Sequence, residues 1–186
     1  MERGLLAVPR GLSFTGVVLA GGRSSRMGRD KALLEIDGCT LLDRAVALLH
    51  DAGAATVIVS GDRPGATADA TPGLGPVGGI ASVLPGVDDG AMVVLPVDMP
   101  ALDVATLRIL LDATGDAPAA HFAGHPLPWA ARIDAALRAR IPALIADGRG
   151  PSMRALHAAA GGIELPMADA ARLRNVNAPA DWAAFA

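Results

Sequence analysis

The sequence contains a single cysteine, Cys39, among its 186 residues. A lone cysteine cannot form an internal disulfide, and no thiol-activating or metal-binding cluster surrounds it. Disulfide-stapled folds of secreted proteins are therefore excluded, and we expect a cytoplasmic protein.

Long apolar runs are also missing. The longest, such as GVVLAGG and GAMVVLPV, are far shorter than the roughly 20 residues that span a bilayer, so we expect no membrane helix. The apolar patch near the N-terminus is broken by Pro9 and is too short for the core of a signal peptide. We interpret residues 1–14 as an N-terminal extension and residues 15–186 as one domain.

The sequence lacks an excess of positive charge. The net charge is −3, which gives no overall attraction to nucleic acid, so any anion site must be built from local charge. Hydrophobic residues make up 52% of the chain and charged residues 19%. This composition can fill one large core and is typical of a globular domain.

Apolar runs and helical stripes alternate along the first half of the chain. TGVVLAG, ATVIVSG and GAMVVLPVDMP predict buried strands, and CTLLDRAVALLHDAG and DVATLRILLDATG predict amphipathic helices, the second with Asp103 as N-cap. This alternation predicts an α/β fold with a mostly parallel sheet and right-handed crossovers. The second half is less regular. We expect strands at AAHFAG and LPWAAR, and helices at DAALRARIPALIAD, PSMRALHAAA and PADWAAF.

Ligands of such sheets bind beyond the carboxyl ends of the strands, where the first loop is rich in glycine and basic residues. Glycines let backbone amides approach an anion, and cationic side chains can surround it. The stretch contains Gly21, Gly22, Arg23, Arg26, Arg29 and Lys31. A triphosphate fits this pattern, although a solvated basic loop is the alternative. The spacing matches neither the Walker A motif nor the dinucleotide fingerprint.

Asp98 lies where the third strand ends, between Pro96 and Pro100. Magnesium in proteins favours one or two carboxylates together with waters and substrate phosphates. The alternative is that Asp98 caps the following helix, a role for which Asp103 is better placed. The sequence therefore predicts a site for a nucleotide and magnesium.

LAGGRSSRMGRDKALL resembles the signature of the molybdenum cofactor guanylyltransferases, the MobA family of nucleotidyltransferases. GPVGGI, PVDMP and NVNAP are similar to the family's other motifs and occur in the expected order. The resemblance implies a three-layer α/β/α, Rossmann-like nucleotidyltransferase fold. It also implies a GTP-dependent enzyme that transfers GMP to molybdopterin carrying molybdenum and releases pyrophosphate. Transient contact with other molybdenum-cofactor proteins is compatible with it.

By this resemblance, Leu19, Ala20 and Gly21 contact the nucleotide through their backbone, Lys31 and Arg26 face the phosphates, and Asp98 holds Mg²⁺. No covalent nucleophile is needed, so Arg26, Lys31 and Asp98 are the expected catalytic residues, acting by positioning and charge neutralisation.

Selection of guanine involves three further positions. Ser60 stands where better-known members have an asparagine near the guanosine. Asp69 falls about where the family has a nucleotide-binding aspartate, and a carboxylate can accept two hydrogen bonds from guanine; alternatively, Asp69 faces water. Gly22 is similar to the guanine-selective branch, because the related cytidylyltransferases have alanine in that motif.

The acceptor site is expected at RNVNAP, where the amides of Asn175 and Asn177 suit a pterin or a phosphate; Asn177 could instead cap a helix. Two other functions remain open. One is a sister nucleotidyltransferase that uses CTP or a sugar-phosphate acceptor, and the other is a non-catalytic pterin carrier. The four histidines show no ligand spacing, which makes a histidine base or a metal cluster unexpected.

Overall fold

The computed structural model describes residues 13–21, 30–167, 169–176 and 181. The sequence predictions for Gly22, Arg26 and Asn177 therefore lie outside the described residues, as does most of the helix expected at 179–185. Phe14, which we assigned to the extension, is the first residue of a strand and is buried.

The described residues form eight strands and five α-helices. The strands are β1 (Phe14–Leu19), β2 (Glu35–Ile36), β3 (Cys39–Thr40), β4 (Ala54–Ser60), β5 (Gly90–Pro96), β6 (Ala119–Phe122), β7 (His125–Ile133) and β8 (Ile163–Leu165). The helices are α1 (Leu41–Asp51), α2 (Gly75–Val83), α3 (Val104–Ala113), α4 (Ala135–Ile145) and α5 (Met153–Ala160). Three 3₁₀ turns lie at Lys31–Leu33, Leu84–Gly86 and Ala170–Leu173, and Asp181 is helical.

Six strands form one sheet in the order β4-β1-β5-β7-β6-β8. Strands β4, β1 and β5 pair in parallel, as do β6 and β8, whereas β7 is antiparallel to both of its neighbours. This confirms the mostly parallel α/β sheet. The short strand β8 and the β2-β3 hairpin were not predicted.

Two apolar cores, one on each face of the sheet, make the fold a three-layer α/β/α sandwich. Helices α1 and α3 cover one face, where Leu49 and Leu107 pack with Val18 and Val93. Helices α2, α4 and α5 cover the other face. There, Ile80, Ile141 and Leu156 pack with the residues of β1 and β5 whose side chains point to that face. Alternate residues of β1 and β5 therefore serve opposite cores, as the period of two in a strand requires.

Gly16 shows how closely α1 packs on β1. A Cβ at this position would lie 2.8 Å from Cδ1 of Leu49, so the missing side chain allows the helix to approach the strand. Thr40 caps this helix by accepting a hydrogen bond from the backbone N–H of Asp43, which satisfies one of the exposed donors of its first turn.

The register of the three parallel strands sets the position of the functional loops. Leu19 at the end of β1 is aligned with Ser60 of β4 and with Pro96 of β5. The loops that follow these strands therefore begin at the same level, at one edge of the sheet. No helix among the described residues is long and apolar enough to cross a membrane.

Candidate active site

A cleft of about 860 Å³ opens at the carboxyl edge of β1, β4 and β5. Its walls come from the loops that follow these three strands. They include Leu19, Ala20 and Gly21 after β1, Ser60 and Asp69 around the β4 loop, and Asp98 after β5, together with Lys31. The volume is in the range of small-molecule sites in proteins.

Lys31 and Asp98 lie together in this cleft. The Lys31 Nζ is 3.2 Å from Oδ2 of Asp98, and the two side chains are 20% and 15% exposed. Lys31 opens the first 3₁₀ turn, whose N-cap Asp30 accepts a hydrogen bond from the backbone N–H of Ala32. The chain turns there because of the cap, and the turn directs the ammonium group toward the end of β5.

The second oxygen of Asp98 has no partner in the described part of the chain. Oδ1 is buried and accepts no hydrogen bond there, which is costly for a carboxylate unless a ligand occupies the position. Asp98 does not cap α3. Asp103 does so by accepting hydrogen bonds from the backbone N–H and the hydroxyl of Thr106, and these bonds lower the pKa of Asp103.

Residues just before and just after Asp69 make hydrogen bonds that hold this part of the loop in the cleft. Thr67 bridges back to the end of β4, where its N–H donates to the carbonyl of Val59. Ala70 donates to Oγ of Ser82 on α2. The Asp69 carboxylate consequently lies beside Ser60, whose hydroxyl donates to Oδ1 at 3.4 Å. Asp69 is half-buried and lines the cleft, and its contact with guanine stays a prediction.

Gly79 of α2 leaves room beside this pair. A Cβ on Gly79 would lie 2.7 Å from Oγ of Ser60 and 3.6 Å from Oδ1 of Asp69. The glycine therefore allows α2 to approach the floor of the cleft without displacing the two polar side chains. Its position within GPVGGI was noted in the sequence, but its contact with Ser60 was not.

The segment before residue 177 runs beside Asp98. The N–H of Val176 donates to the backbone carbonyl of Asp98 at 2.8 Å, and Arg172 pairs with Asp103 at 3.4 Å. Asn175 is half-buried on this segment but is not part of the cleft wall. Val176 of the expected acceptor motif thus lies next to the end of β5.

Arg63 is a residue of this region that sequence reasoning missed. Its guanidinium group contacts both Ala20 and Asp30, which belong to segments distant in sequence. Nothing in the SGDRPG stretch signalled these contacts, because they depend on how the loops meet.

Two of the four histidines are packed together in the fold. His121 and His157 are buried, with ring centroids 4.1 Å apart, and the indole N–H of Trp129 donates to Nδ1 of His157. Burial, followed by the proximity of His121, lowers the pKa of His157. Neither histidine lines the cleft. Within the described ranges, no group of three or more His, Cys, Asp or Glu residues could hold a metal ion.

Similarity to known proteins agrees with this architecture. The MobA-like NTP transferase domain family matches residues 16–162. The molybdenum cofactor guanylyltransferase of Xanthomonas euvesicatoria pv. vesicatoria is 44% identical over 91% of this chain and 92% of its own length. A probable molybdenum cofactor guanylyltransferase of Mycobacterium tuberculosis is 32% identical over 92% of both chains.

Solved structures share the fold at lower identity. Molybdopterin-guanine dinucleotide biosynthesis protein A from Archaeoglobus fulgidus superposes with a TM-score of 0.71 at 18% identity, over 91% of this chain and 95% of that one. The 2-C-methyl-D-erythritol 4-phosphate cytidylyltransferase of Thermus thermophilus has a TM-score of 0.71 at 19% identity, over 93% and 97% of the two chains. At these identities the likeness establishes the nucleotidyltransferase fold. Together with the sequence matches, it means that the chain belongs to the MobA-like NTP transferase family.

Proposed function

We propose that this protein is a guanylyltransferase that transfers GMP from GTP to molybdopterin carrying molybdenum and releases pyrophosphate. The product is the guanine dinucleotide form of the cofactor. The observation that carries the proposal is the Lys31–Asp98 pair at the carboxyl edge of the sheet, in a chain that shares 44% of its residues with a guanylyltransferase along nearly its whole length.

GTP occupies the cleft in this proposal. Leu19, Ala20 and Gly21 present backbone groups to the nucleotide. Gly22, outside the described residues, is assigned to guanine selection, because a missing methyl group leaves more room for a purine. Asp69 accepts hydrogen bonds from the two neighbouring N–H donors of guanine, and the Ser60 hydroxyl donates a hydrogen bond to its carboxylate. The held position of Asp69 supports this assignment, because a fixed acceptor selects a base better than a mobile one.

Asp98 fits a magnesium ligand. Its buried Oδ1 lacks a hydrogen-bond partner among the described residues, and a single carboxylate with substrate phosphates is a typical protein contribution to a Mg²⁺ site. When bound, Mg²⁺ supplies neutralisation of phosphate charge and orientation of the phosphate oxygens. Lys31 adds a second positive charge at the same carboxylate.

The reaction is an in-line displacement at the α-phosphorus of GTP. A terminal phosphate oxygen of molybdopterin forms the new O–P bond, and the bond between the α-phosphorus and the bridging oxygen of pyrophosphate breaks. Lys31 and Arg26 stabilise the negative charge that develops on pyrophosphate. Asn175 and Asn177 bind the acceptor. The contact of Val176 with Asp98 supports this role, because it brings the residue that follows Asn175 to the end of β5.

Two assignments of wider scope belong to the proposal. With the boundary moved to Phe14, the first residue of β1, residues 14–186 act as a single nucleotidyltransferase domain preceded by an extension. The cytoplasmic location and the transient contact with other molybdenum-cofactor proteins stay predictions.

Calorimetric titration with GTP, CTP and ATP in the presence of magnesium tests the proposal. Selective binding of GTP is expected, weakened in Asp98→Asn and Lys31→Ala but not in Arg108→Ala, which changes an exposed residue of α3. GMP transfer to molybdopterin should fall about a hundredfold in each active-site variant, as for loss of one charge-stabilising group.

Each of three other outcomes would indicate a different function for this chain. Preference for CTP would indicate a cytidylyltransferase. Binding of GTP with transfer of GMP only to a sugar phosphate would show that the acceptor is a sugar phosphate and not molybdopterin. Absence of magnesium-dependent nucleotide binding would contradict a transferase and leave the pterin carrier.

A further inference from the structure

The side chain of Arg63 is enclosed behind the wall of the cleft. It is 13% exposed, and Arg63 itself is not part of the cleft wall. Its Nη2 donates to the carbonyl of Ala20 at 2.6 Å and lies 3.2 Å from Oδ2 of Asp30. One guanidinium group thus connects the end of the β1 strand to the start of the 3₁₀ turn that carries Lys31.

The contact with Ala20 determines the direction of a backbone amide. The Ala20–Gly21 peptide is trans, so its N–H points opposite to its C=O. Because Arg63 holds the carbonyl on the enclosed side, the N–H of Gly21 is directed away from Arg63. Gly61 packs against the same peptide, because a Cβ on Gly61 would lie only 3.1 Å from the nitrogen of Gly21. The peptide is therefore confined from two directions.

The contact with Asp30 also influences Lys31, because Asp30 caps the turn that begins at Lys31. The Asp30 carboxylate accepts from Arg63 and also from the N–H of Ala32. The second bond caps the 3₁₀ turn in which Lys31 is the first residue. The Asp30 side chain is 45% exposed, so the bond from Arg63 restricts its rotation in addition to the capping bond. Arg63 holds it in the capping orientation and, through the turn, fixes the base of the Lys31 side chain beside Asp98.

We propose that Arg63 is a positioning residue for nucleotidyl transfer, which sets the Gly21 amide and the Lys31 ammonium in the geometry required by the triphosphate. This inference rests on the proposed function for its catalytic consequence. Its structural part, the control of Lys31 by Arg63, does not depend on which nucleotide is used.

Arg63→Ala removes both contacts, and Arg63→Lys keeps one positive charge without the branched geometry of a guanidinium. Arg138 offers a matched control. Its guanidinium group also donates to the backbone carbonyls of Leu84 and Val87 and to the carboxylate of Asp89. These three residues precede β5 and therefore lie at the end of the strand that is opposite to the cleft. Arg138→Ala therefore removes an equivalent clamp without touching the site.

The position of Lys31 can be observed directly, because it is the only lysine in the sequence. Isotope labelling of lysine alone gives a single side-chain NMR signal. We expect this signal to shift in Arg63→Ala and to keep its wild-type position in Arg138→Ala. The kcat for GMP transfer should fall about 10- to 100-fold in Arg63→Ala, the size expected for misplacement by about one ångström. KM for GTP should change much less, and free guanidinium at millimolar concentration should restore part of the kcat.

Several results would overturn the inference. An unchanged Lys31 signal in Arg63→Ala would show that the arginine does not hold the lysine. Equal losses of kcat in Arg63→Ala and Arg138→Ala, matching their losses of folded protein, would show a purely structural role. Full activity of Arg63→Lys would show that charge alone is needed. If the wild-type protein transfers no GMP, the proposed function fails, but the Lys31 signal still decides whether Arg63 positions that residue.

Discussion

At the scale of single residues, the choice of lysine at position 31 is informative. Of the 16 lysine and arginine residues in the chain, one is a lysine, and it faces the carboxylate of Asp98 in the cleft. Lysine presents a compact ammonium on a flexible stem, whereas arginine presents a planar fork. A compact charge can approach Asp98 and a phosphate oxygen together, which agrees with the role proposed for this residue.

Gly79 gives a prediction at the same scale. In Gly79→Ala, the new Cβ would lie 2.7 Å from Oγ of Ser60 and 3.3 Å from Cδ2 of Leu19. Ser60 is buried, so its hydroxyl must move and disturb Asp69. We expect binding of GTP, measured by calorimetry, to weaken about tenfold, which corresponds to about 1.4 kcal/mol.

The sign of the stability change separates this effect from a helix effect. Alanine is the better helix former by up to about 1 kcal/mol, so Gly79→Ala without a clash would be more stable and bind GTP normally. The double variant Gly79→Ala, Ser60→Ala removes the atom that is struck and should recover part of the affinity. Gly86→Ala, whose Cβ would make an ordinary contact at 3.4 Å with Ile58, is the control.

At the scale of elements, the sequence predicts what depends on local pattern. Strands β1, β4 and β5 read as continuous apolar runs, as expected for strands covered on both faces. Strand β1 and most of β5 are buried, whereas β4, which was also predicted to be buried, lies at the edge of the sheet and is only partly covered. Parallel strands bring their carboxyl ends together, which is why Lys31 and Asp98 were expected in one site although 67 positions separate them.

Other contacts leave no local pattern. The strand β8 has three residues and the β2-β3 hairpin has two per strand, too few for a periodicity to be visible. The bond between Arg63 and Ala20 spans 43 positions and requires knowledge of how the β4 loop packs. The antiparallel direction of β7 likewise depends on a turn that the alternation of elements does not specify.

The N-cap of α3 provides a prediction at this scale. Asp103 accepts from the N–H and the hydroxyl of Thr106 and pairs with Arg172. Loss of an N-cap costs about 0.5–2 kcal/mol, and we expect Asp103→Ala to lie near the upper end. Asp134, which caps α4 through a single hydrogen bond to Leu137, is the matched site. Urea unfolding should show a smaller loss in Asp134→Ala, and equal losses would contradict a contribution from Thr106 and Arg172.

The pKa of Asp103 adds a dependence on pH. Hydrogen bonds from Thr106 lower this pKa from its ordinary value of 3.8. The unfolded chain therefore binds the proton first as the pH falls, so the stabilisation is complete above the ordinary value and is lost as the pH drops through the folded pKa. The difference in unfolding free energy between wild type and Asp103→Ala should shrink in acid.

At the scale of the whole molecule, the two halves of the sheet serve different purposes. The parallel half, β4-β1-β5, ends in the cleft. The other half, β7-β6-β8, encloses His121, Trp129 and His157. This polar cluster joins β6, β7 and α5 in the core, and none of its three residues lines the cleft. Its protonation should therefore affect the stability of the fold more directly than the chemistry.

The pH dependence of global unfolding tests this division. Burial lowers the pKa of His157 below 6.5, the proximity of His121 lowers it further, and Glu164 opposes these effects. As the pH falls below 6.5, the unfolded chain binds a proton that the folded chain refuses, so the free energy of unfolding decreases until the folded pKa is reached. One proton limits the slope to about 1.4 kcal/mol per pH unit. In His157→Gln, the amide oxygen can still accept from Trp129 but does not titrate, so urea unfolding should depend less on pH in this range.

His50→Gln, on the exposed face of α1, should keep the wild-type slope. If both variants kept it, the decrease in acid would arise outside the histidine cluster, and parallel curves for stability and GMP transfer would contradict the separation of the two halves.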